Sequence, residues 1–243
     1  MNIIKLSAID STNSYLKRLV KEGIASDRLI ITTENQTLGR GQQGASWEFQ
    51  EGKSLAISVL KCFSALPVHS QFNIAMATSL GVQKALQRLG ILDVKIKWPN
   101  DILSDQKKLC GILIENIVRG STIKETIVGI GLNVNETTFI NLPKATSLKL
   151  RSGVQYKLND VLNEVANAVL KELDALEATD DVSLKHAYES QLFRNNEVSL
   201  FKDLAGKQFN GTILGVTEFG QLRIKTEDDI ENQYSLKEIT LYY

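Results

Sequence analysis

The segment Gly39-Arg40-Gly41-Gln42-Gln43-Gly44 combines three glycines with one arginine. Glycine lets a ligand approach the main chain closely, and bare backbone N–H groups can form a concave anion-binding site. The arginine adds a planar fork of donors that suits carboxylate or phosphate. The segment therefore predicts a loop that closes over a phosphate-bearing ligand, whereas a glycine-rich run taken alone is more typical of a mobile surface loop.

An amide, a carboxylate and a lysine stand where predicted strands end and begin. Asn100 and Asp101 follow Pro99, which ends a strand. These two side chains suit a phosphate contact, a metal ligand or a general base. Lys108 begins another strand with Gly111 three residues later, which would place an ammonium group and open backbone beside an anion. The alternatives are an ordinary Asn-Asp turn and a solvated lysine.

A third candidate segment is the strand Gly129-Ile130-Gly131-Leu132-Asn133-Val134-Asn135. Glycine inside a strand often marks the close approach of a ligand or of another backbone. A β-bulge is the alternative explanation. Asn133 and Asn135 alternate with apolar residues, so we expect them on one face.

The composition bounds the class of protein. The 243 residues, 43% of them hydrophobic, suffice for one substantial core and a small second domain. Lys+Arg and Asp+Glu both number 28, and this balance disfavours a general nucleic-acid binder. There is no apolar run of membrane-spanning length and no signal peptide. Cys62 and Cys110 lack metal-type spacing and are expected to be packed thiols. A soluble cytoplasmic protein is the simplest account.

Periodicity and capping residues predict the elements that position these segments. Ser11 is a good N-cap for a first helix, and Gly90 is a good C-terminal stop for a later one. Strands are predicted over residues 29–33, 54–60, 94–98, 108–118 and 126–134, and helices over 72–89, 157–176 and 182–192.

The C-terminal fifth of the chain changes character. From Glu197 onward, short β-type runs alternate with glycine, and residues 218–221 form a predicted turn between two of them. Short strands at regular spacing favour a small β-barrel or sandwich. The sequence therefore predicts a domain of residues 1–192, which carries all the candidate segments, and a second domain of residues 193–243.

The candidate segments occur in an order that resembles the biotin protein ligase family (biotin–[acetyl-CoA-carboxylase] ligases). From about Ser11 to Asn135 the order is Ser-Thr-Asn, Gly-Arg-Gly, Lys-Trp-Pro-Asn-Asp, Lys-Leu-Cys-Gly-Ile-Leu and Gly-Ile-Gly-Leu-Asn-Val-Asn. The resemblance implies an α+β fold, with a mixed β-sheet catalytic domain flanked by helices and a small C-terminal SH3-like β-barrel.

The resemblance also implies an activity. Enzymes of this family make biotinyl-5′-adenylate from biotin and ATP with Mg²⁺, and then transfer biotin to one lysine of a biotin carboxyl carrier protein domain of a biotin-dependent carboxylase. Two anions, the biotin carboxylate and the ATP α-phosphate, must meet, so cations and backbone N–H groups must screen their repulsion. The adenylate must then be shielded from water.

Matching the family motifs residue by residue implies roles for individual side chains. The expected catalytic residues are Lys108, which bridges the biotin carboxylate and the α-phosphate, Arg40 in the loop, and Asp101, which assists attack by the acceptor lysine. The expected biotin contacts are Ser11, Thr12, Asn13, Gln36, Gly39, Arg40, Gly41, Lys108, Gly111, Gly129 and Leu132. The expected ATP contacts are Trp47, which packs on adenine, Asn100, Lys108, Gly131 and Asn133. No metal ligand is assigned.

The loop departs from the family pattern in its charge. Gln42 and Gln43 stand where arginines are often found, so Arg40 is its single arginine. This departure puts in question how tightly the loop holds the adenylate. Lys53 and Lys107 are candidate replacements for the missing charge.

Two other functions and several partner questions stay open at this point. A lipoate protein ligase shares the catalytic fold, and the sparse loop charge keeps a non-catalytic biotin or nucleotide binder as an alternative. No helix-turn-helix domain precedes Ser11, so we expect no DNA partner and no transcriptional repression by this chain alone. No membrane partner is expected. The family includes monomers and dimers, which leaves a homodimer open.

Overall fold

The computed structural model describes residues 1–140 and 142–243. Between Asn2 and Glu189 the elements are β1 (Asn2–Ile9), α1 (Thr12–Lys21), β2 (Leu29–Gln36), β3 (Ser54–Pro67), α2 (Gln71–Arg88), β4 (Val94–Lys97), β5 (Asp101–Ser104), β6 (Lys107–Arg119), β7 (Thr122–Asn133), α3 (Leu148–Ser152), α4 (Leu158–Ala175) and α5 (Asp181–Glu189). The remaining strands are β8 (Val198–Asp203), β9 (Gln208–Val216), β10 (Leu222–Thr226), β11 (Glu231–Tyr234) and β12 (Ile239–Tyr242).

The strands β1 to β7 form one mixed sheet in the order β1-β2-β3-β7-β6-β5-β4. β1 and β2 pair in parallel, and the other neighbours pair antiparallel. The long strands β3, β7 and β6 lie in the middle of the sheet. Successive side chains of each strand point to opposite faces. The glycine-bearing strand β7 therefore runs through the centre of the sheet.

Helices cover both faces of this sheet. The apolar helices α2 and α4 pack on each other and on the main core. A Cβ at Gly81 would lie 2.8 Å from Val169 Cα, so only glycine allows the two helices to come this close. On the other face, Leu16 and Leu19 of α1 pack against Leu29 and neighbouring strand residues. The fold class predicted from the sequence, α+β with a helix-flanked mixed sheet, is confirmed.

The Ser11 cap ties α1 to the strands that carry the site. The Ser11 side chain accepts a hydrogen bond from the Ser14 backbone N–H, as an N-cap residue does. Because Ser11 follows β1 directly, the first helical residues Thr12 and Asn13 point toward the middle of the sheet, where both are buried.

Strands β8 to β12 form a second, antiparallel sheet in the order β11-β10-β9-β8-β12. The predicted small C-terminal β-unit is confirmed. In the described residues no pairing joins β11 to β12. The linker to this sheet lies along β4, because the Ile96 N–H donates to Gln191 and the Phe193 N–H donates to Ile96. The boundary near Leu192 stays a prediction.

A tryptophan connects the C-terminal sheet to the site segment. The Trp98 indole N–H donates to the Gly220 carbonyl at 2.8 Å. Gly220 has a φ of +84°, and an added Cβ would lie 2.3 Å from the Phe72 ring. Residues 218–221 form the turn between β9 and β10, as predicted. The segment Lys97 to Asp101 is therefore fixed from the side of the C-terminal sheet.

Candidate active site

The candidate residues converge on one cavity of about 230 Å³, called here the first cavity. Its lining includes Ser11, Thr12, Asn13, Gln36, Arg40, Gly41, Trp47, Asn100, Asp101, Lys108, Gly111, Gly129 and Gly131, all singled out from the sequence. These residues come from α1, β2, the glycine loop and strands β5, β6 and β7. The sheet order explains the convergence, because β3, β7, β6 and β5 are successive neighbours.

One wall of the first cavity is a network of hydroxyl and amide groups. The Gln36 Oε1 accepts from the Thr12 backbone N–H at 3.0 Å. The Ser58 hydroxyl lies 2.6 Å from Asn13 Oδ1 and 2.8 Å from Thr12 Oγ1. The Asn13 Nδ2 donates to Glu115 at 3.2 Å. These bonds fix the orientation of the wall's polar side chains. Ser58 is fully buried behind Thr12 and Asn13 rather than in the cavity lining, and it was not identified from the sequence.

The floor of the cavity is made of glycines. A Cβ at Gly129 would lie 2.4 Å from Asn13 Oδ1, and one at Gly131 would lie 2.4 Å from Trp47 Cε2. At Gly111 the corresponding distance to Trp47 Cζ3 is 3.1 Å. Side chains from α1 and the loop therefore occupy the space that glycine leaves open, whereas the sequence predicted the approach of a ligand or of another backbone at β7.

The glycine loop folds back on itself over this floor. The Trp47 N–H donates to the Gly39 carbonyl at 2.9 Å, and the Gly41 N–H donates to the Ala45 carbonyl at 2.7 Å. Arg40 pairs with Ser46 as an isolated β-bridge. The loop is therefore a small hairpin that brings Arg40 and Trp47 to the cavity together.

Two orphaned polar atoms face this region. In the described residues, Trp47 Nε1 and Gln42 Oε1 are buried and have no hydrogen-bond partner. Buried polar groups are normally paired, so each such exception calls for an explanation. An indole donor and an amide acceptor at a cavity wall would both be satisfied by a polar ligand.

Lysines surround a single carboxylate at the edge of the cavity. The Lys108 Nζ lies 2.6 Å from Asp101 Oδ1, and the Lys97 Nζ lies 3.9 Å from Asp101 Oδ2. Burial lowers the pKa of the Lys97 ammonium; Asp101 opposes this, while Lys108 and Lys144 lower the pKa further. The cluster holds more positive than negative charge, which favours an anionic ligand.

A second cavity, of about 440 Å³, adjoins the first, and Trp47 and Lys108 line both of them. The other residues lining the second cavity include Gln50, Asn133, Glu136, Phe139, Leu142, Pro143, Lys144 and Tyr243. A ligand group in each cavity would therefore meet the same ammonium and the same indole.

Three expected contact residues lie outside the first cavity's lining. Asn133 lines the second cavity and donates to the Thr146 carbonyl at 3.0 Å. Gly39 lies against Trp47 and Gln36 in the loop. The Leu132 side chain is fully buried in the core.

Two further expectations concern neighbouring polar residues. Asn100 lines the first cavity, but its amide donates to the Ile112 carbonyl at 2.8 Å. Lys53 and Lys107, considered as replacements for the loop charge, are exposed and line neither cavity.

The geometry agrees with what comparison with known proteins finds. Residues 6–133, more than half of the chain, match the model of the Biotin/lipoate A/B protein ligase family. The chain belongs to this family. The family resemblance recognised in the sequence motifs is thereby confirmed.

Relatives and solved structures extend the match beyond residue 133. The chain is 27% identical over 238 residues to the bifunctional ligase/repressor BirA of Bacillus spizizenii, covering 96% of this chain and 72% of the relative. It is 32% identical over 168 residues to the biotin–[acetyl-CoA-carboxylase] ligase of Mycobacterium tuberculosis, covering 68% of this chain and 60% of that protein. The biotin protein ligase of Aquifex aeolicus in complex with biotin and ATP superposes with a TM-score of 0.79 at 28% identity, covering 99% of this chain and 98% of that one.

In this member of the ligase family, four basic or aromatic side chains of the site were not predicted from the sequence. Lys97 stood within a recognised motif but was given no role. Lys144 and Tyr243 line the second cavity, and Lys237 lines the first. The Tyr243 ring lies 4.1 Å from Lys144 Nζ and 5.4 Å from Lys97 Nζ. Lys237 and Tyr243 come from the C-terminal part, whose docking no local pattern reveals.

Both cysteines are free, as expected. Burial raises the pKa of the Cys110 thiol, which lies in the core. Among the described residues, none of the helices combines the length and the apolar character needed to cross a membrane.

Proposed function

We propose that this ligase activates biotin with ATP to biotinyl-5′-adenylate, releases pyrophosphate, and transfers biotin to a lysine of a biotin carboxyl carrier protein domain. The observation that carries the proposal is that Lys108 lines both cavities. A carboxylate in one cavity and a phosphate in the other would meet at this one cation. A preorganised cation at the point where two anions approach lowers the barrier to their reaction.

Biotin fits the first cavity by chemistry. Its ureido ring carries two N–H donors and a carbonyl acceptor, and the wall formed by Thr12, Asn13 and Gln36 presents both donors and acceptors. The carboxylate would then lie toward Lys108, where Arg40 also lines the cavity.

ATP fits the second cavity. Phe139, Leu142 and Pro143 offer an apolar surface to the base, while Lys144 and Lys108 offer charge to the phosphates. The sequence motifs imply that Trp47 packs on adenine, and its position between the two cavities supports a contact with the nucleotide as well as with biotin. Lys97 and Lys237 would supply positive charge that the loop lacks.

Mg²⁺ is implied by the reaction class. The described residues contain no group of three or more His, Cys, Asp or Glu side chains that could hold a metal ion. Mg²⁺ usually binds through one or two carboxylates together with substrate phosphates. Asp101 would supply a carboxylate beside Lys108, and the ion would screen phosphate charge. We therefore take MgATP as the substrate.

For the transfer step, Asp101 is the proposed group that assists the acceptor lysine. An acceptor amine must lose a proton to attack the adenylate carbonyl, and a carboxylate at the cavity edge suits that task. The loop of residues 39–47 would cover the adenylate and exclude water. The carrier would dock on the face where this cavity opens. A cytoplasmic location, the absence of a DNA partner and a homodimer stay predictions.

The test is biotinylation of an apo-carrier domain, followed by mass spectrometry, with biotin or lipoate supplied in separate reactions. We expect a mass increase with biotin and MgATP, together with pyrophosphate release. Attachment of lipoate alone would replace the proposal with a lipoate ligase. If biotin and ATP bind but no pyrophosphate is released, the protein is a non-catalytic binder.

A further inference from the structure

Glu136 is a buried carboxylate that the proposed reaction does not yet use. Its side chain is 1% exposed, lines the second cavity and follows the end of β7. One oxygen accepts a hydrogen bond from the Ser54 hydroxyl. The other, Oε2, is buried and has no partner among the described residues.

The fold compensates only in part for the burial of Glu136. No ion pair involving it occurs in the described residues, and Lys53 acts on it only through a long-range attraction that is the smallest of its stabilising influences. Burial raises the pKa of the Glu136 carboxyl, an effect that the Ser54 hydroxyl and the backbone groups of Glu136 and Val134 partly oppose. Burying a polar group without a hydrogen bond costs free energy. A ligand that satisfies Oε2 would remove that cost.

The chemistry of Glu136 limits what this ligand group can be. An ionised carboxylate accepts hydrogen bonds and donates none, so its partner must carry O–H or N–H. The Ser54 hydroxyl already accepts from the Gln50 backbone N–H at 2.9 Å, which directs its proton to Glu136 and fixes the carboxylate. A nucleotide offers two kinds of donor, the ribose hydroxyls and the amine of the base.

Position decides between these two donors. Beyond the end of β7, Lys108 pairs with Ala145, because its N–H donates to the Lys144 carbonyl and its carbonyl accepts from the Thr146 N–H. The next residue, Ser147, donates its hydroxyl to the Glu136 carbonyl at 2.6 Å, so the segment that pairs with Lys108 also holds Glu136 at the second cavity. If Lys108 holds the α-phosphate, the ribose, which is bonded to that phosphate through one carbon, lies nearer to Glu136 than the amine of the base does. Acidic side chains commonly bind ribose hydroxyls in this way.

We infer that Glu136 accepts hydrogen bonds from the ribose hydroxyls of ATP and makes the enzyme selective for ribonucleotides. The inference rests on the proposed placement of ATP in the second cavity. It assigns Glu136 to substrate recognition rather than to the chemical step, so its loss should raise KM for ATP much more than it lowers kcat.

The experiment compares ATP with 2′-deoxy-ATP and 3′-deoxy-ATP in the biotin-dependent release of pyrophosphate. In the wild-type protein we expect kcat/KM to fall about 10- to 100-fold for at least one deoxy analogue, the range for a hydrogen bond to a charged group. In Glu136→Gln and Glu136→Met this preference should shrink to about 3-fold or less. The Gln variant keeps the shape of the side chain, and the Met variant removes its polarity.

Glu125→Gln is the matched control. Glu125 also has a buried oxygen with no partner among the described residues, but it lies at the far end of β7 and lines neither cavity. Its substitution should leave the ribose preference at the wild-type value. If Glu125→Gln and Glu136→Gln lose the ribose preference equally, the cause is a general effect of removing charge, and the inference is overturned.

Two further outcomes would also overturn it. The first is an unchanged ribose preference in both Glu136 variants. The second concerns purine riboside triphosphate, which differs from ATP only in lacking the amine of the base. If the Glu136 variants lose the preference for ATP over this analogue but keep the ribose preference, Glu136 binds the amine. If the wild-type protein releases no pyrophosphate, the proposed function fails, and calorimetric binding of ATP and its deoxy analogues to the same variants tests Glu136 independently.

Discussion

The Lys108 Nζ lies 2.6 Å from Asp101 Oδ1, so the cation shared by both cavities is held by a carboxylate from the neighbouring strand. β5 begins at Asp101 and pairs with β6, which begins at Lys107. The backbone of Lys108 is also fixed, because its N–H donates to the Lys144 carbonyl and its carbonyl accepts from Thr146. The ammonium is thus preorganised, which is the property that electrostatic catalysis requires.

Lys108→Ala should reduce pyrophosphate release by on the order of 10²–10³-fold, the usual effect of removing one such group. The cause is the loss of the only lysine that lines both cavities in the described residues. The measurement is the rate of biotin-dependent pyrophosphate release under saturating substrates. Lys107→Ala is the matched control, since Lys107 is exposed and precedes Lys108 on the same strand. Near-normal release by Lys108→Ala would refute the assignment.

Asp101→Asn should separate the two half-reactions. If Asp101 assists the acceptor lysine, transfer from preformed biotinyl-5′-adenylate should slow by roughly 10²–10⁴-fold, as for loss of a general base. Pyrophosphate release should also fall, because Asp101 holds Lys108, but by less than transfer, since the Lys108 ammonium itself is retained. Single-turnover transfer to an apo-carrier measures the first rate. Equal losses in both steps would indicate that Asp101 acts only by holding Lys108.

The sequence predicted the elements whose signal is local. The apolar spacing between Leu158 and Leu176 predicted α4, and the Ser11 cap predicted the start of α1. It missed β5, because Asn100-Asp101 after a proline is also typical of a turn, and α3, because five residues carry too little periodicity. The order of the motifs, combined with the family resemblance, predicted most of the first cavity's lining.

What the sequence could not show depends on tertiary contacts. Lys237 and Tyr243 reach the site because the C-terminal sheet docks through Trp98 and Gly220. Glu136 follows a recognised motif, yet its burial results from packing against Ser54. The interpretation of Trp47 as an adenine contact likewise gave no hint that its ring lies against Gly131.

Gln42→Arg should slow the release of biotinyl-5′-adenylate about 10-fold or more, the value of one charge-assisted hydrogen bond. Gln42 lines the first cavity, where Arg40 is the single loop arginine. The release rate is measured by rapid dilution of the enzyme loaded with labelled adenylate. Gln42→Glu is the control of opposite charge and should accelerate release. Identical rates in both variants would show that position 42 does not contact the adenylate.

Gly131→Ala should displace the Trp47 indole, because the new Cβ would lie 2.4 Å from Cε2. Since Trp47 lines both cavities, KM should rise for biotin and for ATP together, by roughly 10-fold or more, and the indole fluorescence should shift to the red. Gly111→Ala provides a graded comparison, with its Cβ at 3.1 Å from the same ring, and should have a smaller effect. An unchanged spectrum in Gly131→Ala would mean that the ring does not pack on this strand.

Glu136→Gln should stabilise the protein in a pH-dependent way. Burial raises the pKa of the Glu136 carboxyl above its ordinary value of 4.5, so the folded state binds this proton more tightly than the unfolded state. The contribution of Glu136 to the wild-type free energy of unfolding must then fall as the pH rises from 4.5 through the raised pKa, and stay at the lower value above it. Each rise of one in the pKa corresponds to about 1.4 kcal/mol.

The glutamine variant has no such titration, so its stability relative to wild type should grow over the same pH window and level off above it. Urea unfolding between pH 4.5 and pH 8 measures this difference. The change with pH is diagnostic, because any cost of the buried amide is the same at every pH. If the difference in free energy of unfolding between the variant and the wild type stays constant across this pH window, the pKa of Glu136 is not raised by folding. A difference that grows would show that the fold keeps Glu136 at the expense of stability, as binding sites commonly do.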